Sequence, residues 1–304
     1  TSEMEEMQER INELENMTSC RLVPYSNCAG TDFNNTNLSG MDLTGINLEG
    51  ADLSYVNLSN AKLDYARLNN VEFTGSNLTG TTFVFAEINF GRMQNTVLVD
   101  SYFGYADLKH IRLAYSDLTD ADLRWADLRF AYLNSADLTD ADLRSADLTD
   151  AYLYNADLTG ANFAEADLTN ANVYNADLTD AYLDYADLTN ANFYNADLTD
   201  AYLYNADLTG AYLYNADLIN AELDYADLTG ANFEEADLTG ANLNYADLTN
   251  ANFQDADLED ATLAEADLKF ATFSGATVTD ANFDDTYWHE TMWTDGVRYD
   301  SNQA

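Results

Sequence analysis

Apolar and polar positions along this chain repeat with a period of five. From Phe33 the residues at positions ending in 3 or 8 run Leu38, Leu43, Leu48, Leu53 and on through Phe83, Ile88, Met93 and Leu98 to Phe273, Val278 and Phe283, every one apolar. Two residues earlier the side chain is small in most units, and Ala in nearly every unit beyond residue 120. Side chains two apart on an extended backbone share a face, so the small and the apolar residue point inward together. A period of five fits neither a helix face at 3.6 nor an uninterrupted strand at 2, so each unit is a short extended piece followed by a corner. The last two residues, commonly Thr-Asp, Thr-Gly, Thr-Asn or Tyr-Asn, are turn formers. With 14 glycines in the chain, most corners are expected to do without one.

Unit kinds alternate between about 116 and 250, which decides how many units close a coil. A 15-residue coil would stack unlike units, whereas a 20-residue coil stacks like on like. The square coil aligns Tyr154, Tyr174, Tyr194 and Tyr214 beside Asn155, Asn175, Asn195 and Asn215, and it also aligns Tyr65, Phe85, Tyr105 and Trp125. Phe233, Phe253 and Phe273 then stack inside. Such ladders stabilise in-register β structure. The same register puts Asp137, Asp157, Asp177 and Asp197 in a column about 4.8 Å apart, where each neighbouring pair costs about 0.9 kcal/mol in unscreened water.

Unit after unit, as in AYLNS ADLTD ADLRS ADLTD, matches A-[DN]-L-x-x, and the chain thereby resembles the pentapeptide-repeat proteins. The resemblance covers residues 31–290, about 52 units or 13 coils. It implies an all-β solenoid, a right-handed quadrilateral β-helix with four pentapeptides per coil. The stretch 81–100, with Thr81, Gly91 and Thr96 at the small inward position, departs from the pattern and is expected to be distorted or to form a contact surface.

Both ends leave the template, as an open solenoid requires, because bare end coils expose unpaired edges. Residues 1–30 form a helical cap and linker. Ser2 with Glu5 reads as a capping box, and Met4, Met7, Ile11 and Leu14 follow at 3, 4, 3 spacing, predicting a short N-terminal α-helix over 3–17 that packs on the first coil or joins two molecules. Residues 291–304 form a C-terminal cap or tail. Trp288 and Trp293 lie next to an expected turn at Asp295-Gly296 and cover the last coil or make an end-to-end contact. Cys20 and Cys28, eight apart, could close a disulfide or remain two buried thiols. The pair, with a chain that begins at Thr1 without Met, slightly favours an extracytoplasmic or secreted location, with the cytoplasm as the alternative.

Composition narrows the function. Acids number 54 against 12 bases, a net charge of −42, which repels nucleic acid and anionic membranes and suits a basic protein partner. No apolar run is long enough for membrane insertion. Catalysis finds no support: His110 and His289 are far apart in the repeat, no nucleophile constellation or phosphate loop is present, and the carboxylates repeat on a convex exterior. No cofactor is expected, and the Asp columns should gather divalent cations only diffusely. The chain is therefore expected to be a non-enzymatic structural or protein-interaction solenoid, presenting Asp, Tyr and Asn ladders and self-associating through its ends. The alternative is a DNA-mimicking regulator or protector of a type II topoisomerase, as some members of the resembled family are. The repeat carries 46 acids and 9 bases. That is one net charge per about 1.7 Å, the linear density of duplex DNA.

Overall fold

The computed structural model describes residues 20–302, so the helix expected over 3–17, with Met4, Met7, Ile11 and Leu14, lies outside the described residues. From Asn27 to Met292 the chain winds as a four-sided coil. Each extended piece makes isolated parallel bridges to the residues twenty before and twenty after it, beginning Asn27↔Asn47 and ending Thr272↔Met292. Leu48 N–H donates to Arg67 O at 2.8 Å and Arg67 N–H donates to Ile46 O at 2.9 Å, so coils are joined nineteen residues forward and twenty-one back.

The inward positions form one continuous core. Leu at the centre of a unit and Ala two residues earlier are at most a few per cent exposed throughout the middle of the chain. Burying one such Leu stabilises by about 1.5–3 kcal/mol. Inside, Phe83 stacks on Phe103 at 4.7 Å, and Phe233, Phe253 and Phe273 stack at 4.8 and 4.9 Å.

Most corners do without glycine, as expected, although all of them adopt the left-handed conformation. Every fifth residue from Tyr25 to Glu290 has a positive φ, whether or not it is glycine. The N–H of the next residue closes each turn, as when Ala51 N–H donates to Leu48 O at 2.9 Å, and a left-handed residue at the third position is what such a turn requires. Asn and Asp tolerate that region best. The chain also places Tyr, Phe, Trp and His there, and many of those rings, such as Phe85, Tyr105 and Trp125, stack on neighbouring coils, a contact that offsets the cost. Glycine is demanded where a ring lies across it: a Cβ at Gly45 would sit 2.3 Å from the Tyr25 ring.

Residues 81–100 are not distorted, and the bridges run through them from Thr82↔Tyr102 to Val97↔Asp117. The inward hydroxyls are accommodated by reaching back one coil. Thr81 donates to Leu58 O at 2.8 Å and Thr96 to Phe73 O at 3.0 Å, which removes the penalty for a buried polar group.

The last coil is closed by two short strands, β1 (Thr291–Met292) and β2 (Arg298–Tyr299), paired antiparallel. Gly296, at φ 76°, turns the chain between them, and its N–H donates to Trp293 O at 2.9 Å. Trp293 packs against Phe273, Phe283 and Trp288, with centroids 5.0 to 5.8 Å apart across this cluster.

Candidate interaction surfaces

The second residue of each unit leaves the coil on its outer side, so the twenty-residue register sorts these residues into four columns. Two are pure Asp over long stretches: Asp107 through Asp267, and Asp117 through Asp257, the latter holding Asp137, Asp157, Asp177 and Asp197. They stand two sides apart, on opposite faces of the four-sided coil. The columns between them carry Tyr and Asn, for example Tyr132↔Tyr152 and Tyr182↔Tyr202.

The aspartates have a local task that their spacing in the sequence did not suggest. One backbone N–H per unit, on the fourth residue, points away from the neighbouring coil and would be unpartnered. Asp137 Oδ1 accepts that N–H from Thr139 at 3.0 Å and the Thr139 hydroxyl at 2.7 Å, and Asp177 serves Thr179 in the same way at 3.0 and 2.6 Å. Asp157 serves Thr159 likewise, and Asp197 accepts the Thr199 N–H at 3.0 Å. This side-chain-to-backbone turn explains why Asp or Asn stands at the second position and Thr so often at the fourth. Where the second residue is Tyr or Thr, an acceptor one coil back can substitute: Asp184 Oδ1 takes Tyr204 N–H at 3.1 Å. The motif D-x-T was visible in the sequence, but the repetition disguised it as a turn preference.

The residue two after the Asp decides what becomes of its charge. On one face Lys109 bridges Asp107 (2.7 Å) and Asp127 (3.1 Å), and Arg129 bridges Asp127 (2.6 Å) and Asp147 (3.3 Å). On an adjacent face Arg124 bridges Asp122 and Asp142, and Arg144 binds Asp142 at 2.6 Å. Burial pushes the Asp142 carboxyl up, but the hydrogen bond and charge of Arg144, with Arg124 behind, outweigh it and hold it below the usual value. Beyond residue 145 the same position is mostly Thr. Asp217, flanked by Asp197 and Asp237, is pushed up, first by burial and then by those two like charges, against the opposing hydrogen bond from Ile219 N–H.

The predicted tyrosine column is present from Tyr174, whose ring stacks on Tyr194 at 5.3 Å, as Tyr194 does on Tyr214. Tyr154 heads the column and is half-buried. A hydrogen bond to Glu235 and burial raise the Tyr214 hydroxyl to about 12. The asparagines beside it bond in pairs, Asn175 to Asn155 at 3.2 Å and Asn215 to Asn195 at 3.0 Å. Tyr65, Phe85, Tyr105 and Trp125 stack at 5.3, 4.9 and 4.9 Å. Sequence reasoning missed a further ladder, Phe90, His110 and Phe130, at 4.7 and 4.9 Å. Listing His110 with its neighbours at ±20 would have found it.

At the ends, Cys20 and Cys28 are joined, with Cα atoms 4.8 Å apart, and Cys28 occupies an inward position. Trp288 and Trp293 are buried in the aromatic cluster of the last coil. Among the described residues no group of three or more His, Cys, Asp or Glu side chains is placed to hold a metal ion, and no helix is long and apolar enough to cross a membrane.

A five-residue unit, four to a coil, with A-[DN]-L at its head, defines a solenoid of pentapeptide type. The family profile described as Pentapeptide repeats matches overlapping segments from 26–64 to 251–287, and the chain belongs to that family, whose fold is a right-handed quadrilateral β-helix. Among solved structures the chain is similar to HetL, a pentapeptide repeat protein involved in heterocyst differentiation regulation in the cyanobacterium Nostoc sp. strain PCC 7120. The identity is 34%, over 64% of this chain and 92% of that one, with a TM-score of 0.32. It is similar also to Rfr23 of the cyanobacterium Cyanothece 51142, 30% identical over 34% of this chain and 63% of that one, with a TM-score of 0.17. Full-length QnrB1, a plasmid-mediated fluoroquinolone resistance protein, is 18% identical over 85% of this chain and 93% of that one, with a TM-score of 0.25. No curated protein matches the chain.

Proposed function

We propose that this protein is a non-enzymatic interaction scaffold that offers a rigid acidic surface, centred on residues 145–268, to a basic protein partner. The observation that carries this reading is the distribution of charge. Residues 145–268 contain 26 acids and no Lys or Arg. Asp157, Asp177 and Asp197 on one face are fixed at regular height by their turns, with Tyr174, Tyr194 and Tyr214 on the adjoining corner as apolar contacts. Fixed like charges focus a field that speeds encounter with an oppositely charged partner. Divalent cations gather along these columns diffusely. The scaffold comprises about 13 coils over 31–290, between an N-terminal helical cap and linker (1–30) and a C-terminal cap (291–304), whose ends also serve self-association. The Cys20–Cys28 pair supports an oxidising, extracytoplasmic compartment.

The test is affinity capture from the cell of origin with the wild-type chain and a variant carrying Asp→Asn at 157, 177 and 197. Basic proteins held by the first and released by the second at physiological salt are expected. Identical capture by both would end the reading.

DNA mimicry is a second reading favoured by one quantity. Over 145–268 the acids fall one per about 1.1 Å of axis, denser than the roughly 1.7 Å of duplex DNA. It predicts inhibition of gyrase supercoiling at low micromolar protein, and no effect at large excess would dismiss it.

A further inference from the structure

We infer that a groove along one corner between residues 70 and 132 binds a small organic or inorganic polyanion, bearing phosphate or carboxylate groups, between Arg92 and Arg112. Arg92 and Arg112 are bridge partners on adjacent coils, so their stems leave the same face about 4.8 Å apart. Two cations so placed repel one another, and an anion between them reverses the sign of that interaction. Arg92 has one carboxylate partner, Glu72, at 3.5 Å, with both side chains partly open to solvent. Arg112 is exposed, and among the described residues no carboxylate lies within ion-pair distance of it. Arg21, Lys62 and Arg298 also lack a carboxylate within ion-pair distance among the described residues, but only Arg112 stands directly beside a second arginine on the neighbouring coil. Its neighbours behave differently: Lys109, Arg124, Arg129 and Arg144 are each closed on Asp within 2.7 Å.

The walls complete the site. The corner beside the two arginines carries the Phe90–His110–Phe130 stack, which fixes the half-buried imidazole of His110 in the lining of the groove as a further polar group. Tyr132 follows Arg112 on the next coil, and Glu72 precedes Arg92. The groove encloses about 510 Å³, within the 300–1,000 Å³ usual for small-ligand sites. Glu72 is the one acidic residue among its lining. Residues 62–144 hold 12 acids and 8 bases, and the acid-only half begins beyond them. Physiological salt screens exposed charges more than about 8 Å away, so the groove does not feel the full charge of that half. An extended polyanion such as nucleic acid would run onto the Asp columns, whereas a small one stays within three coils.

Isothermal titration of the full chain with tripolyphosphate and, separately, citrate tests this. Saturable binding of either probe is expected, and which one binds separates phosphate from carboxylate chemistry. Arg112→Gln should weaken it about tenfold, the size of one lost charge-assisted contact. Glu72→Gln, which frees Arg92, should strengthen it. Arg67→Gln, on another face and paired with Glu49 at 3.1 Å, should leave it unchanged. Circular dichroism confirms that each variant keeps the coil. Absence of saturable heat with both probes at about 10 mM, or equal weakening by Arg67→Gln and Arg112→Gln, overturns the proposal.

Discussion

Residues 62–144 and 145–268 share one backbone, one core and the same Asp columns, yet the first carries a net charge of −4 and the second −26. Part of the difference lies at the second residue of the unit, where the first region carries Lys62, Arg67, Arg92 and Arg112, and part at the fourth. In the first region ADLR places a cation beside the carboxylate that accepts its own backbone N–H, so that Arg124 Nε donates to Asp122 at 2.9 Å and its Nη2 at 2.6 Å, while in ADLK the Lys109 ammonium donates to Asp107 and Asn89 Oδ1 accepts the Lys109 N–H. In the second, Thr makes the same turn and adds no charge. A solenoid can thus alter its surface potential coil by coil without disturbing its interior, because structure is set by the inward positions and charge by the outward ones.

If the interiors are equivalent, Leu123→Ala and Leu203→Ala, both fully buried, should each cost about 2–5 kcal/mol in urea unfolding. A large gap between them would break the comparison. The carboxylates are probed next. Asp197→Ala leaves Thr199 N–H without its 3.0 Å acceptor and should cost about 1 kcal/mol. Asp197→Asn keeps the bond and removes one like charge from the column, so it should match or exceed wild type at low salt. Equal losses would show that the charge and not the turn matters.

Acid should divide the regions. Asp217 binds its proton more tightly folded than unfolded, so its destabilisation is present above the folded pKa and relieved as pH falls through it, above the ordinary 3.8. Asp142 is depressed, so its contribution is present above the unfolded value and lost as pH falls through the folded value, below 3.8. Hydrogen exchange should therefore show residues 145–268 gaining protection first on acidification and residues 62–144 losing it later. A uniform response would remove the electrostatic distinction. The smallest effect is Arg129→Thr, which converts an ADLR unit to ADLT: about 1 kcal/mol or less, because the pair is partly open to solvent, with a measurable shift in electrophoretic mobility.

The inward pattern was legible because each buried position obeys a single rule, and Leu48 or Phe253 can be read without knowing its neighbours. The twenty-residue coil was legible for a related reason, since Tyr65, Phe85, Tyr105 and Trp125 declare which residues touch. What the aspartates do was not legible. Asp137 looks the same in sequence whether it repels Asp157 or holds Thr139 N–H, and only the left-handed fifth residue reveals the turn that needs it. Of the two expectations for 81–100, distortion or a contact surface, the first failed because Thr81 and Thr96 can reach a carbonyl twenty-three residues back, a distance invisible to local reading. The arginine groove escaped notice because Arg92 and Arg112 sit in units of unlike wording.

The bridge from each residue to the one twenty ahead also sets how such a chain can change length. Gaining or losing twenty residues lengthens or shortens the rod by one layer of about 4.8 Å and keeps every face in line. Gaining five turns everything downstream by a quarter revolution, so that Asp stacks would continue into Tyr and Asn stacks. Deletions of single pentapeptides should therefore fold and yet scramble the surface, which makes the twenty-residue block the natural unit of insertion for this gene.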